Sequence, residues 1–373
     1  MRKVRVGVIF GGRSSEHEIS LRSALTVISA LDRDRYEVVP IGIARDGRWY
    51  LEEHANKLLI ESTQQLGALK GEGLAVSLLP HPDTASEIAG IDSPINRRVD
   101  VIFPILHGTH GEDGTIQGLI ELAGIPYVGA GVLGSAIGMD KAAQKRLLRE
   151  ALLPVVDFHW LTRREYLANP EAAAAIAARL GYPVFVKPNA LGSSVGISKV
   201  ARADELRAAV DDAFQYDRKV LIEAACIGRE FECAVLGNDE PHASVVGEIV
   251  TRAGYDFYSY ESKYVDPDGA QTVIPANLPL EQAEQVRALS VAAFQALDLR
   301  GMARVDFLAQ AGLSKIFINE VNTIPGFTSI SMYPKLWEAS GLPLSALVDK
   351  LIELALEEHR ARADLKITYQ PKL

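Results

Sequence analysis

The chain has 373 residues, 48% of them hydrophobic and 23% charged, with a formal net charge of −9. That length suggests two or three domains, and the acidic balance without a basic patch argues against nucleic acid or an anionic membrane as partner. The two cysteines, Cys226 and Cys233, are too few for a disulfide framework and read as reduced core residues.

The first element is a strand over 4–10, broken by Arg5 and closed by Gly11-Gly12. Its apolar run is too short for export or for spanning a bilayer, so cytoplasmic residence is the expectation. A helix starts near Glu16, with Ser15 and Glu18 spaced as a capping box. Strands follow over 36–44, near 76–79 and over 99–106, then a helix over 115–123. The alternation is that of an α/β unit with a parallel sheet, whose ligands sit beyond the carboxyl ends of the strands. Gly11-Gly12 and His107-Gly108 both lie at such ends and should border one crevice. The stretch His107-Gly108-Thr109-His110-Gly111-Glu112-Asp113-Gly114 admits a zinc site, two histidines with two acids. Its glycine density favours a loop against a ligand, with His107 hydrogen-bonding and His110 exposed.

A helix over 140–151 places Lys141 and Lys145 one turn apart. Strands over 183–187 and 195–200 flank Gly192-Ser193-Ser194-Val195-Gly196, which reads as a phosphate cradle with Lys187 at its edge. It is not a Walker loop, because no Gly-Lys-Ser/Thr follows. A helix over 204–214 and strands over 220–224, 230–236 and 243–250 come next. Glu223 and Glu230 are candidates for ribose hydroxyls, although either alone would also pass as a solvated glutamate. The loop over 251–271, rich in tyrosine, reads as a lid. Helices over 280–297 and 343–359 complete the chain; the latter buries a stripe of Leu344, Leu347, Val348, Leu351 and Ala355.

Strands over 301–308 and 316–322 carry the most informative pattern. Side chains alternate along a strand, so Arg304 and Asp306 share a face, as do Glu320 and Asn322. The short connection containing Gly312 fits a hairpin. If the two faces meet, two carboxylates, an amide and a guanidinium converge. All-oxygen donors beside an arginine suit Mg²⁺ carrying nucleotide phosphates.

In order along the chain, these motifs resemble the D-alanine–D-alanine ligases of the ATP-grasp superfamily. The resemblance rests on Gly11-Gly12-Arg13-Ser14-Ser15-Glu16-His17-Glu18, His107-Gly108 with Gly111-Glu112-Asp113-Gly114, Met139-Asp140-Lys141, and Lys187-Pro188 with Gly192 to Gly196. It continues through Arg304-Val305-Asp306, Glu320-Val321-Asn322-Thr323 and Pro325-Gly326-Phe327-Thr328-Ser329. It implies an α/β and α+β chain: an ATP-grasp fold preceded by an N-terminal Rossmann-like α/β domain. The expected units are 1–138, a small central subdomain over 139–222, and a C-terminal subdomain over 223–373 carrying the lid. The implied reaction joins two D-alanines through a D-alanyl phosphate, with ATP as co-substrate.

By the same resemblance, Asp306, Glu320 and Asn322 hold two Mg²⁺ ions, which Mn²⁺ can replace. Lys141, Lys187 and Lys263 reach phosphate oxygens, with Ser193 and Ser194 in the cradle and Glu223 and Glu230 on the nucleoside side. Glu16 takes the ammonium of the first D-alanine, oriented by Ser193 and Tyr264. His107 lies near that substrate, and Gly326 and Ser331 near the carboxylate of the second. Arg304 stabilises the oxyanion formed when the amine attacks. The resemblance also implies a homodimer. The pair Lys263-Tyr264 favours an amine nucleophile, though relatives that use D-serine or D-lactate share most motifs. Two other classes compete. A nicotinamide dehydrogenase would need G-x-G-x-x-G straight after the first strand, a pattern that the Gly11-Gly12 turn lacks. A non-catalytic nucleotide-binding module would not need Arg304 beside a metal cluster.

Overall fold

A computed structural model describes residues 2–51, 75–78, 87–91, 96–251 and 269–366. The expected lid, with Lys263 and Tyr264, lies mostly outside the described residues.

The N-terminal part contains β1 (Val4–Gly11), α1 (His17–Ala30), β2 (Tyr36–Ile43), β3 (Trp49–Leu51), β4 (Ala75–Leu78), β5 (Glu87–Gly90), β6 (Asn96–Arg98) and β7 (Val101–Ile105). Then come α2 (Thr115–Leu122), α3 (Gly131–Met139) and α4 (Lys141–Glu150). Its strands are ordered β6-β5-β4-β3-β2-β1-β7. Among the described residues only β1 pairs in parallel within this sheet, with β2 and β7; from β2 outward the pairs are antiparallel. The sheet is therefore mixed, not parallel as the alternation suggests. The short segments after β2 leave no described crossover helix, and short links favour antiparallel neighbours.

The capping box expected at Ser15 and Glu18 does not form. Glu16 occupies the N-cap position without a side-chain cap bond, and Glu18 instead pairs with Arg45. Ser20 on α1 accepts from the Gly11 N–H at 2.7 Å and donates to the Ile105 carbonyl. The hydroxyl thus pins the start of α1 to the carboxyl ends of β1 and β7. Glu16 is held at the mouth of the crevice as a result.

The middle section holds β8 (Phe158–Thr162), α5 (Arg163–Ala168), α6 (Glu171–Leu180), β9 (Val184–Pro188), β10 (Ser198–Val200), α7 (Ala203–Tyr216) and β11 (Lys219–Ala224). The strands form an antiparallel sheet, β10-β9-β11-β8, backed by α6 and α7 through Ala177, Val186, Val210, Phe214 and Ile222. The last section has β12 (Gly228–Gly237), β13 (His242–Thr251), β14 (Ala270–Val273), α8 (Leu280–Ala296), β15 (Gly301–Gln310), β16 (Ile316–Asn322), α9 (Met332–Ala339) and α10 (Leu344–Ala363). Its antiparallel sheet runs β14-β13-β12-β15-β16. One face buries Phe231, Cys233, Val235, Val305 and Phe307 against Phe294 and Leu297. The other face turns its polar residues toward the middle sheet.

The stripe on α10 is buried at Leu347, Val348, Leu351 and Ala355, with Leu344 only partly so. It packs in one cluster with Val6, Val8 and Phe103 of the first sheet. The end of the chain thereby returns to its beginning. Periodicity identifies such a stripe but not the surface that covers it.

Candidate active site

The β15–β16 register sets Arg304 opposite Asn322 and Asp306 opposite Glu320. The hairpin thus brings the four expected residues onto one face. The Arg304 guanidinium donates to both oxygens of Asp306, each at 2.7 Å, and Asn322 donates to Asp306 Oδ2 at 2.9 Å. The pairing slips by one residue after Asp306, since Phe307 faces Ile318. This bulge adds Asn319 to the polar side, where Lys187 Nζ approaches its Oδ1 at 3.5 Å. From the neighbouring strand β12, Glu232 stands across from Asp306, with Oε2 3.0 Å from Arg304 Nε. Burial works against the Arg304 charge, but Asp306 and Glu232 outweigh it and raise the guanidinium's pKa well above its ordinary value.

Asp306, Glu320 and Asn322 supply only oxygen-type donors on one face of the hairpin, a set that suits a hard divalent ion. Cations already answer the two carboxylates: Arg304 on Asp306, and Lys141 Nζ 3.1 Å from Glu320 Oε2. Among the described residues no three His, Cys, Asp or Glu side chains form a ready-made cage. Mg²⁺ bound by one or two carboxylates plus substrate phosphates needs none. The three residues therefore fit such an ion.

Glu16 is 8% exposed and accepts a hydrogen bond from the Ser193 hydroxyl. Two glycines allow that approach. A Cβ on Gly108, whose φ is +72°, would lie 2.5 Å from Glu16 Oε2, and one on Gly192 would lie at 3.0 Å. Ser193 and Ser194 are both left-handed, with φ of 53° and 58°. Such strain in consecutive non-glycine residues points to a functional loop. His107 is buried, with Nε2 3.1 Å from Ser23 Oγ and Nδ1 3.2 Å from the Ile324 carbonyl. Burial lowers its pKa. With both ring nitrogens engaged and His110 exposed, the zinc alternative for this stretch falls.

Glu112, quoted in the motif but given no role there, accepts from the Gly108 N–H at 2.7 Å. Burial, and then the negative charge of Glu16, push its carboxyl up to about 8, against opposing backbone donors. Between the ordinary value of 4.5 and about 8, the folded chain keeps a proton that the unfolded chain has lost. Stability from this group therefore falls as pH rises through that window. Glu112→Gln is expected to melt higher than the parent at pH 8 to 9, with the gap closing toward pH 5. Calorimetry across pH checks this, and a gap independent of pH refutes it.

On the other side, β9 and β11 present Lys187 and Glu223. Lys187 Nζ lies 2.6 Å from Glu223 Oε2, and Lys145 Nζ lies 3.0 Å from Oε1. Glu223 is 2% exposed, so the solvated reading fails for it. Burial opposes its charge, but the two lysines hold its carboxyl at about 2. Lys141 donates to the Leu191 carbonyl at 2.8 Å, and Asn189 Oδ1 accepts from the Ala142 N–H at 2.9 Å. These bonds tie the start of α4 to the glycine-rich turn.

Two cavities meet here. One, about 1120 Å³ including its open mouth, lies between the middle and last sheets and is lined by Lys187, Ser194, Glu223, Glu230, Asp306 and Asn319, among others. The second is lined by Glu16, His107, Ser193, Arg304, Gly326 and Ser331. Glu232 and Glu320 border both. At the far end of the second cavity, Ser331 Oγ accepts from the Thr328 N–H at 3.0 Å. A Cβ on Gly326 would meet that oxygen at 2.7 Å. The family resemblance gave no role to Glu232, Glu112, Lys145 or Asn319. The alternation of Glu230 and Glu232 was a usable signal; the other three depend on contacts between distant segments.

The chain matches the family model described as D-ala D-ala ligase N-terminus over residues 5–130 and that described as D-ala D-ala ligase C-terminus over residues 147–353. It is 51% identical over 361 residues to D-alanine–D-alanine ligase A of Chromobacterium violaceum, covering 96% of this chain and 97% of the relative. The solved D-alanine–D-alanine ligase from Coxiella burnetii superimposes with a TM-score of 0.83 at 38% identity, over 97% of each chain. The VanG D-Ala:D-Ser ligase from Enterococcus faecalis gives 0.82 at 36%, over 95% of this chain and 100% of that one. The folds of these neighbours agree with the ATP-grasp expectation. On sequence, architecture and the ordered motifs together, the chain belongs to the D-alanine–D-alanine ligase family.

Proposed function

We infer that this chain joins two D-alanine molecules into D-alanyl-D-alanine for peptidoglycan synthesis, converting ATP to ADP and phosphate. The observation that carries the reading is the meeting of two cavities along Glu232 and Glu320, with Arg304 on the wall of the second. One has the cations and acidic groups for a nucleotide. The other has a buried carboxylate for an ammonium.

Phosphoryl transfer needs positioning and neutralised charge more than covalent help from the protein. Lys141, Lys187 and the Ser193-Ser194 turn take the phosphates, with Glu223 and Glu230 on the nucleoside. Asp306, Glu320 and Asn322 would hold Mg²⁺, or Mn²⁺ in its place; bound there, it supplies positive charge against phosphate oxygens. Glu16, oriented by Ser193, takes the first D-alanine's ammonium, and the free carboxylate of that D-alanine attacks the terminal phosphorus and displaces ADP. His107, uncharged in its buried setting, packs beside that substrate. Gly326 and Ser331 receive the second D-alanine's carboxylate. Its amine then attacks the acyl carbon, and Arg304 stabilises the resulting oxyanion as phosphate departs. Lys263, expected on the phosphates, and Tyr264, expected on Glu16, lie outside the described residues.

The working units are 1–138, 139–222 and 223–373, the protein acts as a homodimer, and its place is the cytoplasm, where ATP is available. No helix among the described residues is long and apolar enough to cross a membrane. A product assay with Mg-ATP and D-alanine, D-serine, D-lactate and L-alanine in parallel tests the reading. D-alanyl-D-alanine should dominate. Preferential D-alanyl-D-serine or a depsipeptide would move the chain to another branch of the family, and ATP binding without turnover would leave a binding module.

A further inference from the structure

Lys145 stands out among groups the reaction does not use. It projects from α4 and is 1% exposed, yet it does not line the nucleotide cleft. Its one close oxygen is Glu223 Oε1, with no backbone or hydroxyl acceptor in reach among the described residues. A buried ammonium of this kind is costly and is kept only where its charge is answered.

The charges around Glu223 explain what it does. One carboxylate lies between two lysines, Lys145 behind the cleft and Lys187 within it. With Lys145 present, the trio carries a surplus positive charge, and Lys187 can serve a ligand. Without it, Glu223 and Lys187 form a closed neutral pair. The carboxylate would also lose the contact that holds one oxygen away from the cleft.

We propose that Lys145 is a positioning residue for the nucleotide: by holding Glu223 from behind, it keeps a fixed anionic acceptor and an available Lys187 cation on the cleft wall, which favours the 6-amino edge of adenine over the 6-oxo edge of guanine. An ionised carboxylate can only accept hydrogen bonds. It fits an exocyclic amine and repels a carbonyl oxygen. The inference rests on the cleft being the nucleotide site.

The test is steady-state kinetics of Lys145→Met and Lys145→Arg with ATP and with GTP. Lys145→Met should raise KM for ATP by about tenfold or more with KM for D-alanine little changed, and should narrow the ATP-to-GTP ratio of kcat/KM by a similar factor. Lys145→Arg should restore much of the ratio. A folded Lys145→Met with parental KM for ATP and parental discrimination overturns the proposal. If that variant does not fold, Lys145→Gln is read the same way, adding the shift in melting temperature that ATP and GTP each produce. Glu223→Gln separates the two readings. If it too leaves KM for ATP unchanged, the nucleotide assignment of the cleft fails. If it raises KM while the Lys145 variants do not, only the role of Lys145 fails.

Discussion

Asp306→Asn is expected to reduce turnover by about a thousandfold or more while the chain stays folded. The substitution keeps the shape and removes the charge. Asp306 accepts hydrogen bonds from Arg304, at both oxygens, and from Asn322, and stands opposite both Glu232 and Glu320. An amide there turns an N–H toward the guanidinium, where a carboxylate oxygen is needed. It also removes one of the two anionic donors for a divalent ion. Glu320→Gln should act similarly, because it takes away the other anion and the partner of Lys141. Phosphate release with D-alanine over a range of Mg²⁺ checks both, with circular dichroism to confirm folding. Ordinary activity at ordinary Mg²⁺ would remove the metal assignment.

The second large effect is expected at Arg304. Arg304→Met should lower kcat by about 10²- to 10³-fold, the range for losing a donor to a developing oxyanion. KM for ATP should move far less. The same change removes the guanidinium 3.0 Å from Glu232, which is only 5% exposed. Stripping one partner from a buried pair costs about 3 to 5 kcal/mol, so the melting temperature should fall as well. Arg304→Lys separates the two effects. Lysine restores a positive charge but not the two-pronged contact with Asp306. It should recover stability more than rate, as read by calorimetry and by kcat on the same preparation. A lysine variant with full kcat would show that charge alone suffices and that the fixed guanidinium is not required.

The parts of the site that were legible beforehand share one property: they lie within short segments. Period-two alternation placed Arg304 with Asp306 and Glu320 with Asn322, and the hairpin paired them as expected. Gly108 and Gly192 were recognisable as loop glycines, although only the structure shows Glu16 between them. Asn319 stayed hidden because its place depends on a slip in register, which alternation assumes away. Glu232 stayed hidden because an isolated strand does not name its neighbour; pairing of β12 with β15 sets it across from Asp306. At Ser15 and Glu18 a local rule pointed the wrong way, since Arg45 claims Glu18.

Local order along the chain determined the strand faces, the glycine-rich turn and most helices, because hydrogen-bonding and burial periods are written in neighbouring residues. Tertiary packing alone decided that the first sheet is mixed, that α10 closes over it, and that Lys145 meets Glu223. Those outcomes depend on which surfaces meet. A buried charge or apolar stripe announces that it needs a partner, but its own segment does not say which one.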